Sequence, residues 1–264
     1  MKLTIEETRR LKNLREGLLG TLYPRVCPGC GKILGRVKIE KDSSGGGNNP
    51  FICTDCYKKL DFAQGQPRCI KCSRPIDDER EAFCPVCSQG EREFTQGCAL
   101  MVHNETARKA VYDLKYSSMK DNADFLGCEA AAKLGSYIEG VHAQAVIPVP
   151  LYKEREFERG YNQALLFAKN LKFFMEIKGL KCPPIDTEYL VRARNTRRLK
   201  DITGRERMKN INGAFKVTGE AGRYRSVILI DDIFTTGATL NECSKILHMA
   251  GVTMIYFITA TIGS

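Results

Sequence analysis

The chain has 264 residues, 43% of them apolar, and a formal charge of +10, which suits a folded protein with one large core or two modest ones. No apolar run is long enough for a membrane-crossing helix. The first twenty residues are too charged for a secretory signal, so a cytoplasmic protein is expected.

The N-terminal stretch MKLTIEETRRLKNLREGLLG reads as an amphipathic helix. Thr4 and Glu7 have the spacing of a capping box, Leu11, Leu14 and Leu18 share one face, and the helix ends near Gly20. Eight of the twelve cysteines then follow as four C-x-x-C pairs: Cys27/Cys30, Cys53/Cys56, Cys69/Cys72 and Cys84/Cys87. A tetrahedral zinc needs four thiolates, and each C-x-x-C turn delivers two from one side. Four turns therefore provide two structural zinc sites of four cysteines each. Sequential pairing groups Cys27, Cys30, Cys53 and Cys56 around one ion and Cys69, Cys72, Cys84 and Cys87 around the other, each set closing its own β-hairpin. An interleaved pairing stays open at this level. The first hairpin would have its tip in the Gly/Ser/Asn-rich loop 41–50. A disulfide scaffold does not suit a cytosolic chain, a redox C-x-x-C need not occur four times, and iron–sulfur clusters use different spacings. The isolated Cys98, Cys128, Cys182 and Cys243 read as small apolar filler.

The polar stretch SQGEREFTQG (88–97) reads as a linker. It divides the chain into residues 1–90, an N-terminal helix with a double zinc ribbon, and residues 91–264. Beyond it, strand and helix patterns alternate. GCALMV, AQAVIPVP, VILIDD and MIYFITATI read as strands, separated by helical TARKAVYDLKY, DNADFLGCEAAAKLGSYIE and NQALLFAKNLKFFMEI. A further helix carries Leu240, Cys243, Leu247 and Ala250 on one side. This is the pattern of an α/β domain, a mostly parallel sheet with helices on both faces. Ligands of such sheets bind outside the carboxyl ends of the strands.

Between Arg192 and Lys209 eight basic residues stand against two acidic ones. That concentration points to a polyanion, nucleic acid or a polyphosphorylated small molecule; a solvated loop is the plainer alternative. The next strand, Val227–Ile230, runs into Asp231 and Asp232, and Thr235, Thr236, Gly237, Ala238 and Thr239 then open a helix. Three hydroxyls, a glycine that permits close approach, and free helix N–H groups can hold a phosphate dianion. Three other readings compete: a Walker B strand, although no G-x-x-x-x-G-K-[ST] exists in the chain; a phosphorelay acidic pair, which would follow the first strand; and a simple capped helix.

The stretch VILIDDIFTTGATL resembles the phosphoribosyl diphosphate (PRPP) motif of type I phosphoribosyltransferases. That resemblance implies that Asp231 and Asp232 hold the ribose diol and that Thr235, Thr236, Gly237, Ala238 and Thr239 receive the 5′-phosphate. More broadly the chain resembles the ComF family, which joins a double zinc ribbon to a phosphoribosyltransferase domain in cytoplasmic proteins of bacterial DNA uptake. The matching elements are the cysteine pairs, DLKY (113–116), VIPVPLYKEREFERGYNQA (146–164), RERMKNINGAF (205–215) and the PRPP motif. The resemblance implies a pyrophosphate loop at Val149, Pro150 and Leu151, with Lys153, Arg155 and Arg159 neutralising the leaving group; the competing reading has Arg159 and Asn162 only bracing the helix entrance. It implies binding of PRPP with Mg2+, and of single-stranded DNA through the ribbons and a basic loop of Arg192, Arg194, Arg197, Arg198 and Lys200. A DNA-uptake helicase is the implied protein partner. One departure is visible: Leu199 stands where the family usually has a glutamine.

If the site turns over, pyrophosphate leaves C1′ through an oxocarbenium-like transition state, stabilised by charge and orientation. No general base or acceptor pocket is recognisable. His103, His142 and His248 sit in contexts that read as strand end, helix end and helix surface. A DNA-binding uptake factor and an active phosphoribosyltransferase with an unidentified acceptor are therefore the two functional expectations.

Overall fold

The computed structural model describes residues 4–19, 24–35, 37, 39, 49–90, 92–116, 119–195 and 210–263. The described strands are β1 (Gln96–Val102), β2 (Ala145–Pro148), β3 (Leu190–Arg192), β4 (Phe215–Val217), β5 (Ser226–Phe234) and β6 (Met254–Ile262). The helices are α1 (Ile5–Leu19), α2 (Thr54–Tyr57), α3 (Pro85–Ser88), α4 (Glu105–Tyr116), α5 (Asn122–Gly140), α6 (Lys153–Arg159), α7 (Gln163–Ile177) and α8 (Ala238–Met249).

A parallel sheet in the order β1-β6-β5-β2 forms the centre, and β3 and β4 make a separate antiparallel pair. The two middle strands are long apolar runs because both of their faces are covered. Alternate residues point to opposite faces. Ile228 and Ile230 of β5, with Ile258 and Ala260 of β6, pack on the side of α4, α5 and α7. Val227, Leu229, Ile255 and Phe257 pack on the side of α8, β3 and β4. The architecture is the α/β, phosphoribosyltransferase-like one expected, preceded by the helix and the cysteine units.

The two cysteine units lie on opposite sides of this sheet. Cys27 and Cys56 join the core that contains α5 and α7. Cys69, Cys72, Cys84 and Cys87 join the core that contains α8. The connecting residues 61–63 run antiparallel along the outer edge of β1. Val102 N–H donates to the Asp61 carbonyl at 2.8 Å and Ala63 N–H to the Leu100 carbonyl at 3.0 Å, with Phe62 opposite Met101. At the far edge, Asp186 N–H donates to the Val146 carbonyl and Val146 N–H to that of Pro184.

Two local expectations meet a different arrangement. The capping box of α1 is present: Thr4 N–H donates to Glu7 Oε2, and Glu7 N–H to Thr4 Oγ1. Two of its leucines, however, do not face the core: Leu11 and Leu14 are 50% and 58% exposed, and the side chain of Leu18 lies outside the described ones. Lys12 turns inward instead, bonding Asp124 and Asn170 at 2.8 Å each and lying over the Phe173 ring. Asp124 is buried and also takes Arg25 at 2.7 Å. Leaving part of that carboxylate's charge uncompensated would cost more than leaving two leucines partly wet. The hairpins expected of the cysteine units are reduced, among the described residues, to single antiparallel bridges, Val26 opposite Ile33 and Arg68 opposite Pro75. Most of the expected tip at 41–50 lies outside the described residues.

Candidate functional site

The thiols of Cys27, Cys30, Cys53 and Cys56 lie within 4.8 Å of one another, as do those of Cys69, Cys72, Cys84 and Cys87. The pairing is sequential. Sulfur separations of 3.6 Å (Cys27 to Cys53), 3.8 Å (Cys30 to Cys53) and 3.7 Å (Cys72 to Cys84) match the edge of about 3.8 Å that a tetrahedron with Zn–S near 2.3 Å demands. These are two zinc-binding sites, each with all four positions filled by cysteine. Burial pushes the Cys27 thiol up, but the backbone N–H groups of Cys53, Cys30 and Gly29 outweigh it and bring it down to about 7. Cys69 is likewise held at about 7, where N–H groups of Cys84, Cys72 and Lys71 outweigh its burial. Gly29 of the first turn is required by space, since a Cβ there would sit 2.7 Å from Cys56 Sγ. The isolated cysteines behave as filler: burial raises Cys98 to about 11, Cys128 to about 12 and Cys182 to about 11.

The second group of functional candidates gathers at the carboxyl end of β5. This strand does not stop at Ile230 but continues through both acids to Phe234, with Asp231 opposite Thr259 and Ile233 opposite Thr261 of β6. Side chains therefore still alternate. Asp231 is half-buried, whereas Asp232 is only 4% exposed. Asp232 N–H donates to Asp231 Oδ1 at 2.9 Å. The turn that follows needs Gly237, whose φ is +76° and which precedes the first turn of α8. Ala238 N–H faces Thr236 Oγ1 at 3.4 Å. Thr235 is exposed, and Thr236 and Thr239 are half-buried.

The loop after β2 leaves the sheet beside this turn. Val149 N–H donates to the Ile230 carbonyl at 2.8 Å. Asn162 ties the loop to α7: its Nδ2 donates to the Val149 carbonyl at 3.1 Å, and its Oδ1 caps the helix by accepting from Ala164 and Leu165. Val149 is buried, Pro150 and Leu151 are half-buried, and Lys153 is exposed. Arg159 donates to Gln163 Oε1 at 2.9 Å, and Arg155 is half-buried on α6. Leu114 of DLKY is fully buried, and its carbonyl accepts from the Tyr161 hydroxyl.

Of the basic loop, Arg192 and Arg194 are described, while Arg197, Arg198, Leu199 and Lys200 lie outside the described residues. Arg192 stacks over the Phe215 ring at 5.3 Å. Burial lowers its pKa, and the charges of Arg155 and Arg159 act the same way, against the raising effect of Cys243 and the Asp231 carboxylate. Arg192 thus sits in one electrostatic neighbourhood with Arg155, Arg159 and Asp231. Arg194 is exposed and donates to the carbonyls of Asn210 and Asn212, across the base of the loop.

Two functional candidates carry no local sequence signal. Arg74 Nη2 donates to the Thr235 carbonyl and Arg92 Nη2 to the Thr236 carbonyl, both at 2.7 Å. Arg74 follows Cys72 by two residues and Arg92 lies in the linker, so only tertiary structure brings them to the turn.

Comparison with known proteins agrees with this layout. The family described as Double zinc ribbon domain matches residues 18–88. The chain is 38% identical over 111 residues to "Competence protein F" of Haemophilus influenzae, an alignment spanning 41% of this chain and 46% of that protein. It is 28% identical over 213 residues to "DNA utilization protein YhgH" of Escherichia coli O6:H1, covering 77% of this chain and 87% of the relative. It is 25% identical over 206 residues to "Competence protein ComFC" of Bacillus subtilis, covering 76% and 79%. With a double zinc ribbon match at one end and relatives aligned along three quarters of its length, the chain is similar to competence and DNA-utilization proteins.

Proposed function

We propose that the chain is a DNA-uptake and DNA-utilization factor whose α/β domain binds PRPP, with Mg2+ carried on the diphosphate. The observation that carries this reading is the convergence at one end of the parallel sheet. A half-buried Asp231, a glycine-hinged threonine turn opening α8, and the charge of Arg155, Arg159 and Arg192 meet there. A sugar 5-phosphate bearing a diphosphate needs these three features: an acceptor for hydroxyls, N–H and hydroxyl donors for one phosphate, and cations for the other. Mg2+ prefers hard oxygens and keeps much of its water, so the ligand's own oxygens serve it best. In this reading Asp231, the more exposed of the two acids, meets the ribose, and the buried Asp232 supports it.

The same charge supports contact with single-stranded DNA. In this reading Arg197, Arg198 and Lys200, which lie outside the described residues, meet the phosphate backbone, while Arg192 stacks on Phe215 and Arg194 donates to the loop base. The names of the relatives favour this role, and a helicase of the uptake machinery is the protein partner that fits it. Transfer of the phosphoribosyl group to an acceptor is a second reading, favoured by the cluster of cations where pyrophosphate would leave.

Titration calorimetry tests the proposal. Full-length protein should bind PRPP with Mg2+, and Asp231→Asn should weaken binding by about tenfold or more, the loss of one charge-assisted hydrogen bond pair. A wild-type chain that binds no PRPP would reject it. For DNA, log affinity should fall with log salt with a slope of about −2 or steeper if three loop cations meet phosphates. A slope near zero would remove the DNA arm. Pyrophosphate release from PRPP separates an enzyme from a binding protein.

A further inference from the structure

The turn at 234–237 is held from behind by residues that belong to the second cysteine unit and its exit. Arg74 is part of the knuckle itself: Cys69 N–H donates to the Arg74 carbonyl at 2.9 Å and Ser73 N–H to the Cys69 carbonyl at 2.8 Å. The knuckle is in turn fixed to β1, where Gly97 N–H donates to the Lys71 carbonyl and Ala99 N–H to Ser73 Oγ. Arg92 is anchored by its neighbours. Glu93 N–H donates to Asn241 Oδ1 at 2.8 Å, and Phe94 packs edge-on against Phe234 and Phe257.

From these supports the two guanidinium groups reach consecutive carbonyls, those of Thr235 and Thr236. In a trans peptide the N–H lies opposite the C=O. Fixing these two carbonyls therefore aims the N–H groups of Thr236 and Gly237 the other way, off the side occupied by the arginines. Among the described residues no acceptor takes either N–H. A cation on a carbonyl also polarises its own peptide unit and strengthens the opposite N–H as a donor. Two positive charges behind the turn add to the attraction for an anion in front of it.

We propose that the second cysteine unit is a positioning element for the phosphate turn, acting through Arg74 and Arg92 so that metal loading of Cys69, Cys72, Cys84 and Cys87 is coupled to anion binding at Thr235–Thr239. This rests on the sugar-phosphate reading given above. Neither arginine touches the ligand; each orients backbone donors that do.

The test uses full-length, zinc-loaded protein and two probes, ribose 5-phosphate for the threonine turn and inorganic pyrophosphate for the loop after β2. In the Arg74→Gln/Arg92→Gln double variant, ribose 5-phosphate affinity should fall by about tenfold or more, the effect of charged hydrogen bonds, while pyrophosphate affinity is unchanged. Protection of the Thr236 and Gly237 amides from hydrogen exchange by ribose 5-phosphate should disappear, with two zinc ions per chain retained. Cys84→Ser should reproduce the loss, and Cys30→Ser in the first unit should not. Equal ribose 5-phosphate binding by wild type and the arginine variant would overturn the coupling alone. An equal loss for both probes, or for both cysteine variants, would reduce it to general stability and overturn it too. A wild-type chain that binds neither ribose 5-phosphate nor PRPP would reject the pocket, and the coupling with it.

Discussion

Asp231 and Asp232 are neighbours in sequence with different surroundings. The cause is that β5 remains a strand across both, so its period of two leaves one carboxylate half-buried and buries the other. The position of the pair at the carboxyl end of a strand was legible, but its asymmetry was not, since nothing local announced where the strand would stop. Gly237 is the opposite case, a position whose neighbourhood in sequence already suggested its use. A Cβ there would meet Phe234 Cζ at 2.6 Å, and Phe234 cannot retreat because it stacks on Phe257 and meets Phe94 edge-on. Gly237→Ala should therefore carry the left-handed penalty of roughly 1–2 kcal/mol plus a clash. It should show as a lower melting temperature together with lost PRPP binding in calorimetry. A variant with wild-type melting and binding would mean that the turn is not held as described.

Periodicity served well for whole elements. The strand MIYFITATI is β6 residue for residue, and α4, α5, α7 and α8 fall where their apolar spacing put them, whereas α6, which buries no residue, had no such signal. It failed for α1, where amphipathicity pointed to the leucines while the fold needed Lys12 for a buried acid 112 residues away. The entrance to β3 is likewise set by a long-range polar knot. Asp186 accepts the N–H groups of Glu188 and Tyr189 and the Tyr224 hydroxyl, with Arg223 at 3.4 Å. Burial pushes the Asp186 pKa up, but those donors and the Arg223 charge outweigh it and hold it below its ordinary value. Its contribution to stability is therefore present above the unfolded carboxyl's pKa of about 3.9 and is lost as pH falls through the lower folded value. Asp186→Asn should destabilise by about 1–2 kcal/mol at pH 7, and the difference from wild type should shrink below about pH 4. Denaturant melts at pH 7 and pH 3 measure both, and a pH-independent difference would contradict this account.

At the scale of the whole chain, the eight paired cysteines disclosed both metal sites and their likeness to a ribbon, because ligand spacing is a local constraint. Where the ribbons would dock was hidden, because docking is written in single residues such as Arg74 and Arg92, whose partners are 161 and 144 residues away. The two units flank the sheet and are stitched together through residues 61–63. Stripping zinc with a strong chelator should therefore loosen the α/β domain as well as the ribbons. Circular dichroism should show loss of strand and helix signal beyond residues 1–90, with the thermal transition lowered and zinc restoring it. A chelated protein that keeps the α/β transition at its original temperature would show that the sheet stands without the metals.

The strip of chain lying along β1 has a consequence for solubility. A parallel sheet exposes unpaired N–H and C=O groups on its outermost strands, and such borders recruit foreign strands. Here Asp61–Ala63 occupies one border and Pro184–Asp186 the other. Demetallated molecules would bare the first of these, and copies would then join border to border, so that metal starvation turns the molecule's own seam into a seed for precipitation.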